Sequence, residues 1–289
     1  MKELPNPTFS LSPEASGLAG LATLPRGSLC PDDSAANEKS PRAIAPAGLQ
    51  VSWAQHLDEV RQAQRLRYRV FALEMGARLP EKLPGHDVDL FDDYCEHLLV
   101  RDELSQEVIG TYRVLTPAQA ERVGSTYSDL EFDLTRLRML RSRMVELGRS
   151  CVHPDHRHGG VILALWGALM QFMVRNQLDT MMGCASIPLQ HQGVGGGHAA
   201  ASIWRKLKNT HLAPIEFQVH PRLALPVDSL CNDMDVEPPA LIKGYLRLGA
   251  KVLGPPAWDP EFNSADLPMM MRVADLPARY RKHFSIQQA

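Results

Sequence analysis

Met144-Val-Glu-Leu-Gly-Arg-Ser-Cys-Val152 is followed at once by His153-Pro-Asp-His-Arg-His-Gly-Gly160, and then by a largely apolar run from Val161 to Val174. The three pieces read as strand, glycine turn and buried helix. Strict alternation in the strand puts Glu146, Gly148 and Ser150 on one face and Val145, Leu147 and Arg149 on the other. Arg149 is then stranded among apolar neighbours. Glycine inside a strand often marks a bulge, and a bulge at Gly148 re-aims Arg149 onto the face of Glu146. A charged pair in a central strand costs desolvation unless both groups find partners. A structural ion pair is therefore the plain alternative to a reaction centre.

The turn after the strand has two readings as well. Gly159-Gly160 opening a helix exposes unsatisfied N–H groups and the positive end of the helix dipole, a ready anion site. Arg157 adds a charge suited to phosphate. Gly-Gly before a helix is also a common way to turn a chain. The strand before it adds weight to the functional reading, because strand, glycine turn and helix are the parts of a thioester-cofactor cradle.

Working outward, Leu57, Val60, Leu66, Val70 and Leu73 fall near a three-and-four spacing, so a helix is expected from Trp53 to about Met75, stopped by Gly76. Leu79 to Asp93 reads as a loop. Cys95 to Arg101 and Val108 to Leu115 read as a hairpin, and Pro117 to Val123 as a short helix. The long helix spans about Gly159 to Gln177, and a further strand runs from Thr180 to Ile187. Ala240 to Leu248 reads as a helix ended by Gly249, before strands at Lys251 to Leu253 and Met269 to Val273. This order predicts a mixed α/β domain, a central sheet flanked by helices, over residues 49–289. Residues 1–48, rich in Pro, Ser, Ala and Gly, read as a disordered arm.

A hydrophobic fraction of 44% and a charged fraction of 22% permit a core of normal size. The net charge of −2 gives no global attraction to nucleic acid, so no nucleic-acid partner is expected. Cys30, Cys95, Cys151, Cys184 and Cys231 are scattered without zinc or dithiol spacing, as free thiols in a reducing cytoplasm would be. No secretory signal is visible, and the apolar run at Val161 is too short to cross a bilayer.

Glu146-Leu-Gly-Arg-Ser-Cys-Val-His-Pro-Asp-His-Arg157, the apolar helix, Gly183-Cys-Ala-Ser186 and Tyr245-Leu-Arg-Leu-Gly-Ala250 together resemble the GNAT superfamily of acyltransferases. More narrowly, Arg67-Tyr-Arg-Val-Phe71, Phe91-Asp-Asp-Tyr-Cys-Glu-His-Leu-Leu-Val100, Gly110-Thr-Tyr-Arg-Val-Leu115 and Pro239-Ala-Leu-Ile-Lys-Gly-Tyr245 resemble the ornithine–acyl-carrier-protein N-acyltransferases, a family also labelled hemolysin-like. The resemblance covers about residues 65–285.

That resemblance implies transfer of a 3-hydroxyacyl chain from acyl carrier protein to the α-amine of L-ornithine, giving lyso-ornithine lipid. It implies no bound cofactor beyond the carrier's own 4'-phosphopantetheine. It also implies a cytoplasmic enzyme in peripheral contact with the inner membrane through its lipid product. A more distant similarity to acyl-homoserine-lactone synthases matches Arg69, Phe71, Asp92, Arg113, Glu146 and Arg149 to that group's pattern. The expected roles follow. Glu146 is the general base. Arg113 and Arg149 hold the acceptor carboxylate, Asp92 meets a cationic side chain, and Arg69 and Ser186 complete the substrate site. Arg157, Gly159 and Gly160 cradle the phosphopantetheine. Arg136, Arg138, Arg141 and Arg143 read either as a landing surface for an acidic carrier or as a solvated loop.

The segment Gln190 to His198, rich in glycine and histidine, departs from the family and leaves acceptor recognition near Ser186 open. Cys151, His153, His156 and His158 lack the spacing of a zinc site, so no metal is expected. Ser150 and Cys151 lack a nucleophile-elbow pattern. Met269 to Met271 read as core. Two alternatives stay open from the residues: a homoserine-lactone synthase using S-adenosylmethionine, and a non-enzymatic membrane-surface protein.

Overall fold

The computed structural model describes residues 48–80 and 82–284. The arm expected over residues 1–48 lies, apart from Gly48, outside the described residues.

The chain opens with a strand, β1 (Leu49–Trp53), where Trp53 had been read as the start of a helix. Helix α1 (Leu57–Tyr68) begins after His56, and Glu59 reaches back to accept from the N–H groups of Gln55 and His56. It runs on through π-helical turns over Arg69–Glu74. Strands β2 (Glu96–Asp102) and β3 (Val108–Leu115) form the expected hairpin. Thr116 caps α2 (Pro117–Val123), and Thr126 caps the short α3 (Tyr127–Glu131), which leads into β4 (Phe132–Asp133).

The deciding stretch folds as read: β5 (Met144–Val152), a glycine turn, then α4 (Gly160–Arg175) and β6 (Thr180–Pro188). Helix α5 (His198–Thr210) was not anticipated. Its buried Ala199, Ala200, Ile203 and Leu207 follow a run of glycines that broke the period. The remainder comprises β7 (His220–Pro221), α6 (Ala240–Arg247), β8 (Lys251–Val252), β9 (Ala257–Asp259), β10 (Ser264–Arg272) and α7 (Ala278–His283).

The main sheet has the order β1-β2-β3-β5-β6-β10-β8, with β9 also on β10. Every pair in it is antiparallel except β5 with β6. One face carries α4: Val161, Leu165 and Leu169 pack with Leu98, Tyr112, Val114 and Val145. The other face carries α1, where Ala63, Leu66 and Val70 meet Leu99, Val108 and Cys151. Fully burying a side chain such as Leu165 is worth roughly 1.5–3 kcal/mol, so these two layers fix the position of β5. The architecture is the expected mixed α/β sheet between helices.

Candidate active site

The parallel pairing of β5 and β6 stops at Glu146 with Met182. At the next position a Cβ on Gly183 would lie 2.2 Å from the Leu147 carbonyl oxygen, so only glycine lets the strands pass this closely. Beyond that contact they diverge. A cavity of about 620 Å³ opens between Gly148, Arg149 and Ser150 on one side and Cys184, Ala185 and Ser186 on the other. That size suits a small-molecule site.

A bulge does sit in β5. Thr111 of β3 faces Cys151 and Arg113 faces Gly148, so Tyr112 stands opposite two residues, Arg149 and Ser150. Arg149 takes a left-handed backbone conformation (φ 51°), which is costly for a side-chain-bearing residue. The extra residue turns Arg149 toward the face of Glu146. It also carries Ser150 to the α4 face, beside Tyr112, which corrects the strict alternation that grouped Ser150 with Glu146.

Arg149 and Glu146 find separate partners rather than each other. Arg149 reaches Asp87 and Asp89 at 3.2 Å each, with its guanidinium over the rings of Tyr127 and Phe262. Arg113 meets Asp89 at 2.5 Å and Asp92 at 3.0 Å. Arg67, fully buried, grips both Asp87 and Asp92. Three arginines thus balance three aspartates beneath the bulge. Burial raises the Asp92 carboxyl, but Arg67 and Arg113 outweigh it and hold the group well below the usual range.

Two of the expected site residues lie outside the cavity wall. Asp92 lies outside the cavity lining, held beneath it by Arg67, Arg113 and Gln64. Arg69 is absent from the cavity wall. Its half-exposed side chain lies 3.8 Å from Glu107 at the far hairpin, and Arg67, two residues earlier, occupies the buried place.

Glu146 lines the cavity, and its two oxygens accept from the main-chain N–H groups of Tyr127 (2.8 Å) and Ser128 (2.6 Å). The carboxylate therefore pins the first turn of α3. Burial raises its pKa, against the lowering effect of the Ser128 and Tyr127 bonds and of Arg113. A carboxylate accepts about four hydrogen bonds, so capacity remains to take a proton.

A second acidic group was invisible to the sequence reading, which began the last strand at Met269. Asp259 and Asp266 line the same cavity from β9 and β10, and each is at least 96% buried. Asp266 pairs across from Ser186, accepts from the Ser264 hydroxyl, and is raised to about 6 by burial and by Asp259. Burial and the carboxylates of Asp266, Asp259 and Glu261 push Glu131 up to about 8. Arg149, the cation facing these groups, is already shared with Asp87 and Asp89. A lone aspartate in an otherwise apolar strand was the available signal for Asp266.

At the other end, Gly159 (φ 94°) turns the chain into α4 and lines the cavity with Arg157, while Gly160 does not line it. Arg157 is bonded bidentately to Glu74 at 2.6 and 2.7 Å, and its Nε donates to the Val152 carbonyl. Of the four arginines before β5, Arg141 is paired with Asp129 and Arg143 with Asp179. Arg136 donates to the Ile215 carbonyl, and Arg138 is exposed. Among the described residues, no three His, Cys, Asp or Glu side chains come together as a metal site.

Residues 66–167 match the model of a GNAT acetyltransferase domain. An L-ornithine N(alpha)-acyltransferase of Rhodobacter capsulatus is 34% identical, covering 84% of this chain and 97% of its own. A protein of the same name from Agrobacterium fabrum is 35% identical over 82% of this chain and 85% of its own. Among solved structures, a CoA-dependent acyl-homoserine lactone synthase is similar at 15% identity and TM-score 0.48, covering 83% of this chain and 92% of that one. An N-acyl amino acid synthase from uncultured soil microbes is similar at 11% identity and TM-score 0.45, over 79% and 94%. The chain is an N-acyltransferase with a GNAT domain, and at this identity over most of its length it belongs to the L-ornithine N(alpha)-acyltransferase family.

Proposed function

We propose that this chain transfers an acyl group from the phosphopantetheine thioester of acyl carrier protein to the α-amine of L-ornithine, giving lyso-ornithine lipid. The observation that carries this reading is one cavity with two chemistries. Its deep walls are apolar, with Leu169, Met170, Met181 and Met269, and suit an acyl chain. Its other wall carries the buried carboxylates Asp259 and Asp266, which suit a cationic amino acid. The names of the relatives point to the same acceptor.

In the mechanism, Glu146 takes the proton that the α-ammonium must lose before the amine attacks the thioester carbonyl. N–H groups of the bulged strand near Gly148 to Ser150 face the developing oxyanion. The C–S bond breaks, and the carrier leaves as its thiol. Arg149 and Arg113 attract the ornithine carboxylate, and the carboxylates of β9 and β10 take the δ-ammonium. Ser186, paired with Asp266, orients that end. Arg157 and the turn at Gly159 receive the phosphate of the carrier. The proposed contact with the inner membrane is peripheral and made through the lipid product; among the described residues no helix is long and apolar enough to cross a membrane.

The test is a transfer assay with purified chain, L-ornithine, and the same acyl group on acyl carrier protein or on coenzyme A, read by mass spectrometry. N-acylornithine from the carrier-bound donor is the expected result. Preference for coenzyme A overturns the donor assignment. A lactone formed from S-adenosylmethionine, with no N-acylornithine, overturns the acceptor.

A further inference from the structure

One short helix joins the two ends of the proposed acceptor site. Helix α3 gives the main-chain N–H groups of Tyr127 and Ser128 to Glu146. The side chain of Tyr127 reaches β9, where its hydroxyl donates to Asp259 Oδ2 at 3.2 Å. A single residue therefore touches the base with its backbone and the acidic wall with its tip. Tyr127, Glu146, Asp259 and Asp266 all line the same cavity. In the transfer step above, Tyr127 serves only to hold Glu146.

The link between the two ends is stiff. Thr126 and Asp129 close the first turn of α3 on each other, and Asp129 is anchored to Arg141 at 2.9 Å. The Tyr127 ring lies under the Arg149 guanidinium, 5.0 Å from its centroid, and meets Phe91 edge-to-face at 6.2 Å. Tyrosine has few side-chain torsions, so a ring held by two such contacts acts as a rod. The far end is fixed as well. Asp259 Oδ1 accepts from the N–H groups of Glu261 and Phe262, which leaves Oδ2 to Tyr127. Asp259 stands opposite Ser264 in the β9–β10 pair, and the Ser264 hydroxyl holds Asp266. Glu131, one helical turn after Tyr127, adds its carboxyl to the same acidic group.

An acceptor with a cationic side chain has to satisfy both ends at once. Its α-amine must lie at Glu146 while its side-chain ammonium lies at the carboxylates of β9 and β10. The span between them is the span of Tyr127, from main-chain nitrogen to hydroxyl. We infer that Tyr127 is the gauge of the acceptor site: it fixes the separation of base and acidic wall, and so selects the diamino acid by its length. This rests on the proposed acceptor chemistry.

A side chain one methylene shorter leaves its ammonium away from the carboxylates. One methylene longer drives the α-amine off the base. A misplacement of about 1 Å at the reacting atoms costs on the order of 10²-fold in rate. A stiff spacer between the two ends turns a difference in length into a difference in turnover.

The experiment uses Tyr127→Phe, which removes the hydroxyl and keeps the ring and the main-chain bond to Glu146. kcat/KM is measured with one acyl-carrier-protein donor and four acceptors: L-ornithine, the shorter 2,4-diaminobutyrate, the longer L-lysine, and norvaline, which lacks the side-chain amine. Wild type is expected to prefer ornithine. In Tyr127→Phe the preference over both neighbouring diamino acids should shrink roughly tenfold, the worth of one hydrogen bond to a charged group. Norvaline should lose far less than ornithine. The double variant with Asp259→Asn should lose less than the product of the two single losses, because the two residues share one hydrogen bond. Equal loss for all four acceptors, fully multiplicative losses, or a wild type indifferent to acceptor length overturns the inference and leaves ornithine acylation standing. Absence of N-acylornithine from the wild type would instead remove the proposed function.

Discussion

The main-chain N–H of Ser128 donates to Glu146 Oε1 at 2.6 Å, so the proposed base also holds down the start of a helix. With Tyr127 on the other oxygen, Glu146→Gln would turn an amide NH₂ toward an N–H. Turnover by the folded variant should fall by about 10²–10⁴, the usual worth of a general base. Stability should fall too, by about 1–3 kcal/mol, for the unsatisfied donor. Urea denaturation and kcat on the same preparation separate the two effects. Near-wild-type kcat in folded protein would take Glu146 out of the chemistry. Because burial raises Glu146, the acid limb of the rate profile should lie above the ordinary glutamate range.

Asp92 is expected to matter for folding before catalysis. Its carboxylate is gripped by Arg67 and Arg113 and is almost wholly buried. Asp92→Asn leaves two buried guanidiniums short of charge, and breaking such a pair costs about 3–5 kcal/mol. The folded pKa is depressed, so the stabilisation is complete above the unfolded carboxylate value and is lost as pH falls through the lower folded one. Denaturation midpoints between pH 7 and 3 should therefore fall more steeply in wild type than in the variant.

These two carboxylates show how far the sequence could be read. Strand, bulge, glycine turn and helix were legible because alternation, one misplaced arginine and Gly-Gly are local signals. The partners were not. Whether Arg67 or Arg69 turns inward depends on where α1 meets Asp87 and Asp92, some twenty residues later, and both fit a helical period. Asp266 approaches Ser186 only because β10 crosses to pair with β6, eighty residues apart in the chain. Long-range pairing of this kind leaves no periodic trace.

Asp266 supplies a pH test of the acceptor site. Its carboxyl titrates at about 6, and a δ-ammonium binds the ionised form. KM for ornithine should therefore rise as pH falls through 6, with uptake of ornithine there releasing a proton. Asp266→Asn should raise that KM tenfold or more at pH 7.5 and flatten its pH dependence. A five-carbon acceptor lacking the δ-amine should not distinguish the variant from wild type. Equal loss for both acceptors would count against a cation site.

The basic stretch before β5 narrows to Arg136 and Arg138, since Arg141 and Arg143 already have acidic partners. Reversing both charges should raise KM for the carrier-bound donor and weaken its dependence on salt, while the ornithine KM stays put. An unchanged donor KM at low ionic strength would mean that the carrier docks elsewhere.

Arg157 poses the sharpest question about the donor, because Glu74 occupies the face that a phosphate would take. Both groups are partly exposed, so the pair is screened and exchangeable. If phosphopantetheine displaces Glu74, then Glu74→Gln frees the guanidinium and should lower donor KM several-fold. Arg157→Gln should raise it, with the larger effect on kcat/KM than on kcat. The double variant decides between roles. A donor KM matching Arg157→Gln places Glu74 upstream as a competitor for the arginine. A KM returning to the wild-type value would mean that the pair only ties the π-helical end of α1 to the glycine turn.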